Sequence, residues 1–103
     1  MKQYKIEWSN RAKIDLFNHF SFILNVSYDA AQSFAKNIQQ SVSSLETFPQ
    51  RFPLFEMNNI ISNIEFRKFV VDSRYIVIYA IYKESIKIYR ILDSRKKFET
   101  LID

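Results

Sequence analysis

Eight consecutive residues, Tyr75 to Tyr82 (YIVIYAIY), are apolar on both sides of any strand they form. Side chains of a strand point to opposite faces in turn, so such a run needs cover above and below, and this places it at the centre of a sheet. The flanking tripeptides Asp72-Ser73-Arg74 and Lys83-Glu84-Ser85 are short enough for hairpin turns, and beyond them lie two further runs rich in Ile, Val, Tyr and Phe, residues 64–71 and 86–92. The spacing predicts a three-stranded antiparallel meander. Phase is uneven on its last strand, where Ile86, Ile88, Arg90 and Leu92 share one side while Lys87, Tyr89, Ile91 and Asp93 share the other. A bulge near Arg90 would restore an apolar side.

Upstream the period changes. Tyr4, Ile6 and Trp8 alternate with polar neighbours, the pattern of a strand with one buried face over residues 3–8. Ser9 or Asn10 is a suitable N-cap, after which Ala12, Leu16, Phe20, Ile23 and Leu24 recur every three or four residues and predict a helix to about Val26. Ser27, Tyr28 and Asp29 form a short connection, and Ala31, Phe34, Ala35, Ile38, Val42 and Leu45 predict a second helix ending near Phe48, before Pro49. Two helices so closely joined make an antiparallel hairpin whose apolar side needs a sheet. Residues 49–63 hold both prolines and read as an irregular crossing, and residues 95–102 as a further helical turn or two. The expected fold is a single α+β domain over residues 1–103: a two-layer sandwich of N-terminal strand, helical hairpin and three-stranded meander.

Composition removes several chemistries. With no cysteine there is no thiolate ligation or redox motif, and with no glycine neither a P-loop nor a Rossmann fingerprint can form. Left-handed turn positions fall to Asn, Asp or Ser. The single histidine, His19, cannot build a multi-histidine metal site and reads as a structural residue of the first helix. No cofactor is expected. The first ten residues lack the apolar stretch of a secretory signal, and no run approaches the ~18 apolar residues that cross a bilayer, so a cytoplasmic protein without membrane contact is expected.

Charge is concentrated. From Arg67 to Lys97 nine basic residues face three acidic ones, while the rest of the chain is slightly acidic. Such a segment suits phosphate backbones or an acidic protein.

Leu45-Glu46-Thr47-Phe48-Pro49 at the close of the second helix, Arg67 on the first meander strand, Tyr75 and Tyr79 four apart on the central strand, and Arg90-Ile91-Leu92-Asp93-Ser94-Arg95-Lys96 leaving the last one carry a likeness to a known family. Together they resemble the RelE/ParE superfamily, toxins of bacterial type II toxin–antitoxin systems. The resemblance implies a small growth-inhibiting protein neutralised by a cognate antitoxin. It implies one of two activities: metal-independent cleavage of mRNA on the ribosome, or inhibition of DNA gyrase. The chain departs from the family pattern where Asp93-Ser94 replaces a frequent His-Gly and where the tail carries Phe98 and Leu101, which cannot exchange a proton.

RNA cleavage without metal needs a base, an acid and cations on the phosphate. The resemblance puts Arg67 and Arg95 at the family's basic positions and Asp93 where relatives carry histidine, making these three the candidate catalytic residues. Lys68, Arg90, Lys96 and Lys97 add positive charge for nucleic acid, and Tyr89 a ring on which bases stack. Arg67 and Arg95 are expected to converge on one anion-attracting hollow. Phe52, Phe55, Met57 and the outer side of the helices are the expected antitoxin patch. The alternative is a non-catalytic binding module that keeps the fold without toxicity.

Overall fold

The computed structural model describes residues 3–55 and 64–96. In chain order it contains β1 (Lys5–Trp8), α1 (Asn10–Leu24), α2 (Tyr28–Ser43), β2 (Leu54–Phe55), β3 (Phe66–Val71), β4 (Tyr75–Tyr82) and β5 (Ser85–Asp93), with 3-10 turns at Ser44–Glu46 and Pro49–Arg51. The sheet order is β1-β5-β4-β3-β2. β3, β4 and β5 form the antiparallel meander with β4 at its centre, and β1 pairs parallel with β5. This is the expected α+β sandwich, with two differences. β2 lies in the stretch read as irregular, pairing Leu54 with Arg67 and Phe55 with Phe66; two residues are too few for alternation to register. The second helix stops at Ser43 and tightens into a 3-10 turn before Pro49. The expected C-terminal helical turn lies largely outside the described residues.

Both helices start as their caps dictate. Ser9 Oγ accepts from the Ala12 N–H at 2.9 Å, and Ser27 Oγ accepts from the Ala30 N–H at 3.1 Å. Ala31, Phe34, Ile38, Val42 and the following Leu45 are buried at helical spacing, each large one contributing about 1.5–3 kcal/mol by leaving water. They meet Phe69, Val71, Tyr75, Val77, Tyr79, Ile86, Ile88 and Ile91 on the sheet. The other sheet face holds a smaller cluster of Phe66, Ile76, Ile78 and Ala80, so both sides of β4 are occupied.

A bulge resolves the phase of β5. Ile78 pairs with Arg90 while Tyr79 pairs with Ile88, leaving Tyr89 as the extra residue. Ile86 and Ile88 before it, and Ile91 after it, therefore all join the helix-facing core, whereas Tyr89 packs against Phe66 on the opposite face with ring centres 5.0 Å apart.

Without glycine, four described residues adopt positive φ: Phe48 (54°), Asp72 (57°), Ser73 (56°) and Lys83 (55°). Asp72 and Ser73 are the central pair of a hairpin turn closed by the Arg74 N–H on Val71 O at 3.1 Å, and Asn37 Nδ2 donates to Asp72 Oδ1 at 2.8 Å. Short polar side chains tolerate this conformation; for a residue such as Phe48 it costs about 1–2 kcal/mol.

Candidate functional site

β1 covers the edge of β5 only as far as Ile88, which leaves the backbone of Ile91 facing outward. Side chains of α1 take the place of the missing strand. Asp15 Oδ2 accepts the Ile91 N–H at 2.9 Å, and His19 Nε2, one turn further along, donates to Ile91 O at 2.8 Å. Because a carbonyl only accepts, Nε2 carries the proton. The His19 ring also packs on Tyr75, centre to centre 5.0 Å, and edge-on to Phe34 at 6.2 Å. The ring thus has structural contacts, and it also lines the hollow described next rather than standing apart from it.

Asp15 has a second task. It receives Arg90 Nε at 2.8 Å and Nη2 at 3.1 Å, a two-pronged pair with both side chains at most 10% exposed. The bulge takes Arg90 off the face of Ile86, Ile88 and Ile91 and pairs it with Ile78 on the other one, and its side chain meets Asp15 at the edge of β5, where Asp15 also takes the Ile91 N–H. Arg90 is thereby removed from the solvent-facing set: its expected contact with nucleic acid is replaced by a buried ion pair.

Past this pair opens a hollow of about 550 Å³ between α1 and the end of β5, rimmed by Arg11, Arg74, Arg95 and Lys96, with Asp93 in its wall. Asp93 is 4% exposed in its side chain. Its Oδ2 accepts Arg74 Nε at 3.3 Å, Arg74 Nη2 at 3.1 Å and Arg95 Nη2 at 3.1 Å. Its Oδ1 accepts the Arg95 N–H at 3.0 Å and Arg95 Nε at 3.2 Å. A carboxylate so fully engaged has no lone pair left for a substrate proton; it holds two guanidinium groups in place. The same surroundings act on Tyr75: burial raises its pKa, Arg74 opposes this, and Asp93 and Asp72 add to it.

Arg67 is elsewhere. It pairs across the ladder with Tyr79, whereas Asp93 pairs with Tyr75, four residues or roughly 13 Å along β4. Its Nη1 donates to Gln50 O at 3.1 Å and Phe52 O at 2.7 Å. The expected convergence of Arg67 and Arg95 on one hollow is therefore not what the fold builds, because Arg67 leans toward the 47–53 loop while Arg95 belongs to the far end of β5. Lys68 lies over the Phe55 ring at 5.0 Å, and Tyr89 is half-buried against Phe66. Of the candidate residues, Asp93, Arg95 and Lys96 come together; Arg90 joins them from below, and Lys97 lies outside the described residues.

Sequence reasoning missed Arg11, Arg74 and Asp15. For Asp15 there was a signal: a carboxylate inside the apolar stripe of α1, between Ala12 and Leu16 on one side and His19 on the other, requires a buried cation, and Arg90 was the basic residue out of phase on its strand.

The opposite end of the sheet carries a second arrangement. Tyr79 is fully buried and its hydroxyl donates to Pro49 O at 2.5 Å; burial pushes its pKa up to about 12, against the pull of Arg67 and Arg51. Arg51 Nη1 donates to the carbonyls of Ser44, Thr47 and Phe48 at 3.2, 3.0 and 3.2 Å. Phe52 stacks on Phe69 at 4.7 Å, so it is half withdrawn from the expected antitoxin patch; Met57 lies outside the described residues. The outer side of α1 is open, with Ile14 and Phe17 53% and 69% exposed. Among the described residues, no helix is long and apolar enough to cross a membrane.

Comparison with known proteins agrees with the fold. Residues 6–98 match the family model described as the ParE toxin of the type II toxin–antitoxin system parDE. A solved structure of the chromosomal ParDE toxin–antitoxin system from P. aeruginosa superimposes with a TM-score of 0.68 at 14% identity, covering 88% of this chain and 96% of that one. At that identity the likeness is one of fold. No curated protein matches the sequence.

Proposed function

The chain belongs to the ParE toxin family of type II toxin–antitoxin systems, with the cognate antitoxin partner this implies, and from that premise we propose that it arrests growth by inhibiting DNA gyrase in the cytoplasm, as one domain. The family match over residues 6–98 carries this reading over ribosome-dependent mRNA cleavage. The chemistry of the site supports it. Cleavage needs a group that takes a proton and one that gives it back. Among the described residues near the basic hollow, Asp93 is engaged by Arg74 and Arg95, Asp15 by Arg90 and the Ile91 amide, and His19 commits its Nε2 to the Ile91 carbonyl while its ring is packed on Tyr75 and Phe34. What is left at the surface is fixed positive charge, which suits recognition of a partner better than turnover.

The test places the purified toxin in a gyrase supercoiling assay beside a primer-extension assay on translating ribosomes, after showing that expression stops growth and that co-expressed antitoxin restores it. Loss of supercoiling with uncut mRNA is expected. Cut mRNA with normal supercoiling overturns the reading, and normal growth with soluble toxin favours the non-catalytic module instead.

A further inference from the structure

Four described residues have left-handed backbone, and three of them are polar residues in hairpin turns. The fourth, Phe48, is disfavoured there twice. Its Cβ opposes the conformation, and 74% of the residue is in water, where a phenyl ring gains nothing from burial. An asparagine would satisfy the backbone and the solvent better.

The loop around it is held by other groups. Tyr79 Oη binds Pro49 O, Arg67 Nη1 binds Gln50 O and Phe52 O, and Arg51 binds Phe48 O through its amide and its Nη1, both at 3.2 Å. All these bonds end on main-chain oxygens, so the loop keeps its shape whatever side chain stands at 48. The protein thus spends a buried tyrosine and two arginines on a loop that presents a strained phenylalanine to solvent. Strain maintained by its surroundings marks functional positions.

We propose that Phe48 is a preorganised anchor that inserts into an apolar pocket, with an acidic rim, on the toxin's macromolecular target. This rests on the gyrase reading for the target's name. Shape chooses the occupant: a protruding ring needs a concave, already folded partner, and the target is a folded enzyme. A peptide segment laid on the toxin would instead follow its hollows and the open side of α1. The rim follows from charge, since the Arg51 guanidinium lies against the Phe48 carbonyl and residue 51 is exposed. A ring fixed in place loses little freedom on docking, which is how single aromatic residues come to dominate interfaces.

The experiment compares Phe48→Asn and Phe48→Trp with the parent toxin in three measurements: thermal unfolding, inhibition of supercoiling, and calorimetric affinity for the antitoxin. Phe48→Asn is expected to melt about 4 °C higher, to need about tenfold more toxin for the same inhibition, and to bind antitoxin within twofold of the parent. Phe48→Trp should inhibit within about threefold. A lower melting temperature for Phe48→Asn assigns the ring to the fold and overturns the proposal, as does undiminished inhibition. A matching loss of antitoxin affinity overturns it in favour of the inhibitor's interface. If the parent toxin leaves gyrase untouched, the gyrase reading alone fails; growth arrest in cells then reads the anchor, and arrest by Phe48→Asn equal to the parent's overturns it.

Discussion

Asp15 and Asp93 do the same elementary thing in two settings. Each is a carboxylate from which guanidinium groups hang, and each is almost out of water itself. Around Asp15 everything is sealed: Arg90 is 7% exposed, and the carboxylate also completes the hydrogen bonding of a strand edge. Around Asp93 the partners reach outward, with Arg74 30% and Arg95 63% exposed. Sealed charge has no alternative to its partner, so removing either member strands the other in a medium that cannot solvate it. Exposed charge has water as an alternative and contributes little to stability, which leaves it available for binding. The same pair of residue types thus serves as a rivet in one place and holds positive charge out to solvent in the other.

The largest effect should come from breaking the rivet. Asp15→Ala is expected to cost about 3–5 kcal/mol in urea unfolding, since it leaves Arg90 unpaired and the Ile91 amide without an acceptor. A cost under about 1 kcal/mol would erase the distinction between the two regions. Next comes alkaline pH, which probes another sealed group. Tyr79 titrates near 12 when folded against 10.0 unfolded, so its contribution is complete below pH 10 and is lost as the pH rises from 10 through 12. That amounts to about 2–3 kcal/mol. Tyr79→Phe should lower stability at pH 7 yet flatten this alkaline decline, as followed by circular dichroism. The smallest change in stability belongs to Arg95→Ala, at most about 1 kcal/mol because its partner keeps Arg74. Binding to the target, measured across salt concentrations, should nevertheless weaken and show a shallower salt dependence. A large loss of stability without any change in binding would make Arg95 a second rivet.

Much of the fold was legible because it rests on local periodicity. YIVIYAIY reads as a central strand, Ala31 to Leu45 as a helix face, and the out-of-phase Arg90 as the mark of a bulge. β2 was not, because two residues carry no period. The site was less legible. Arg67 and Arg95 look equivalent along the chain, both basic and one on a meander strand while the other follows just after one, but cross-strand register separates them along β4. Asp93 looked like a replacement for a catalytic histidine, and only the two arginines folded against it show a clamp.

By itself the sequence determined the order and type of the main elements, the positive charge of the second half and the absence of thiol and glycine-dependent chemistry, since each follows from spacing and residue type within a few neighbours. Tertiary structure decided which cations are sealed and which are offered to solvent. That depends on whether α1 or water covers a given point on β5, a matter of residues some 75 positions apart meeting in space; local pattern marks Asp15 and Arg90 each as out of place, but only the fold joins them.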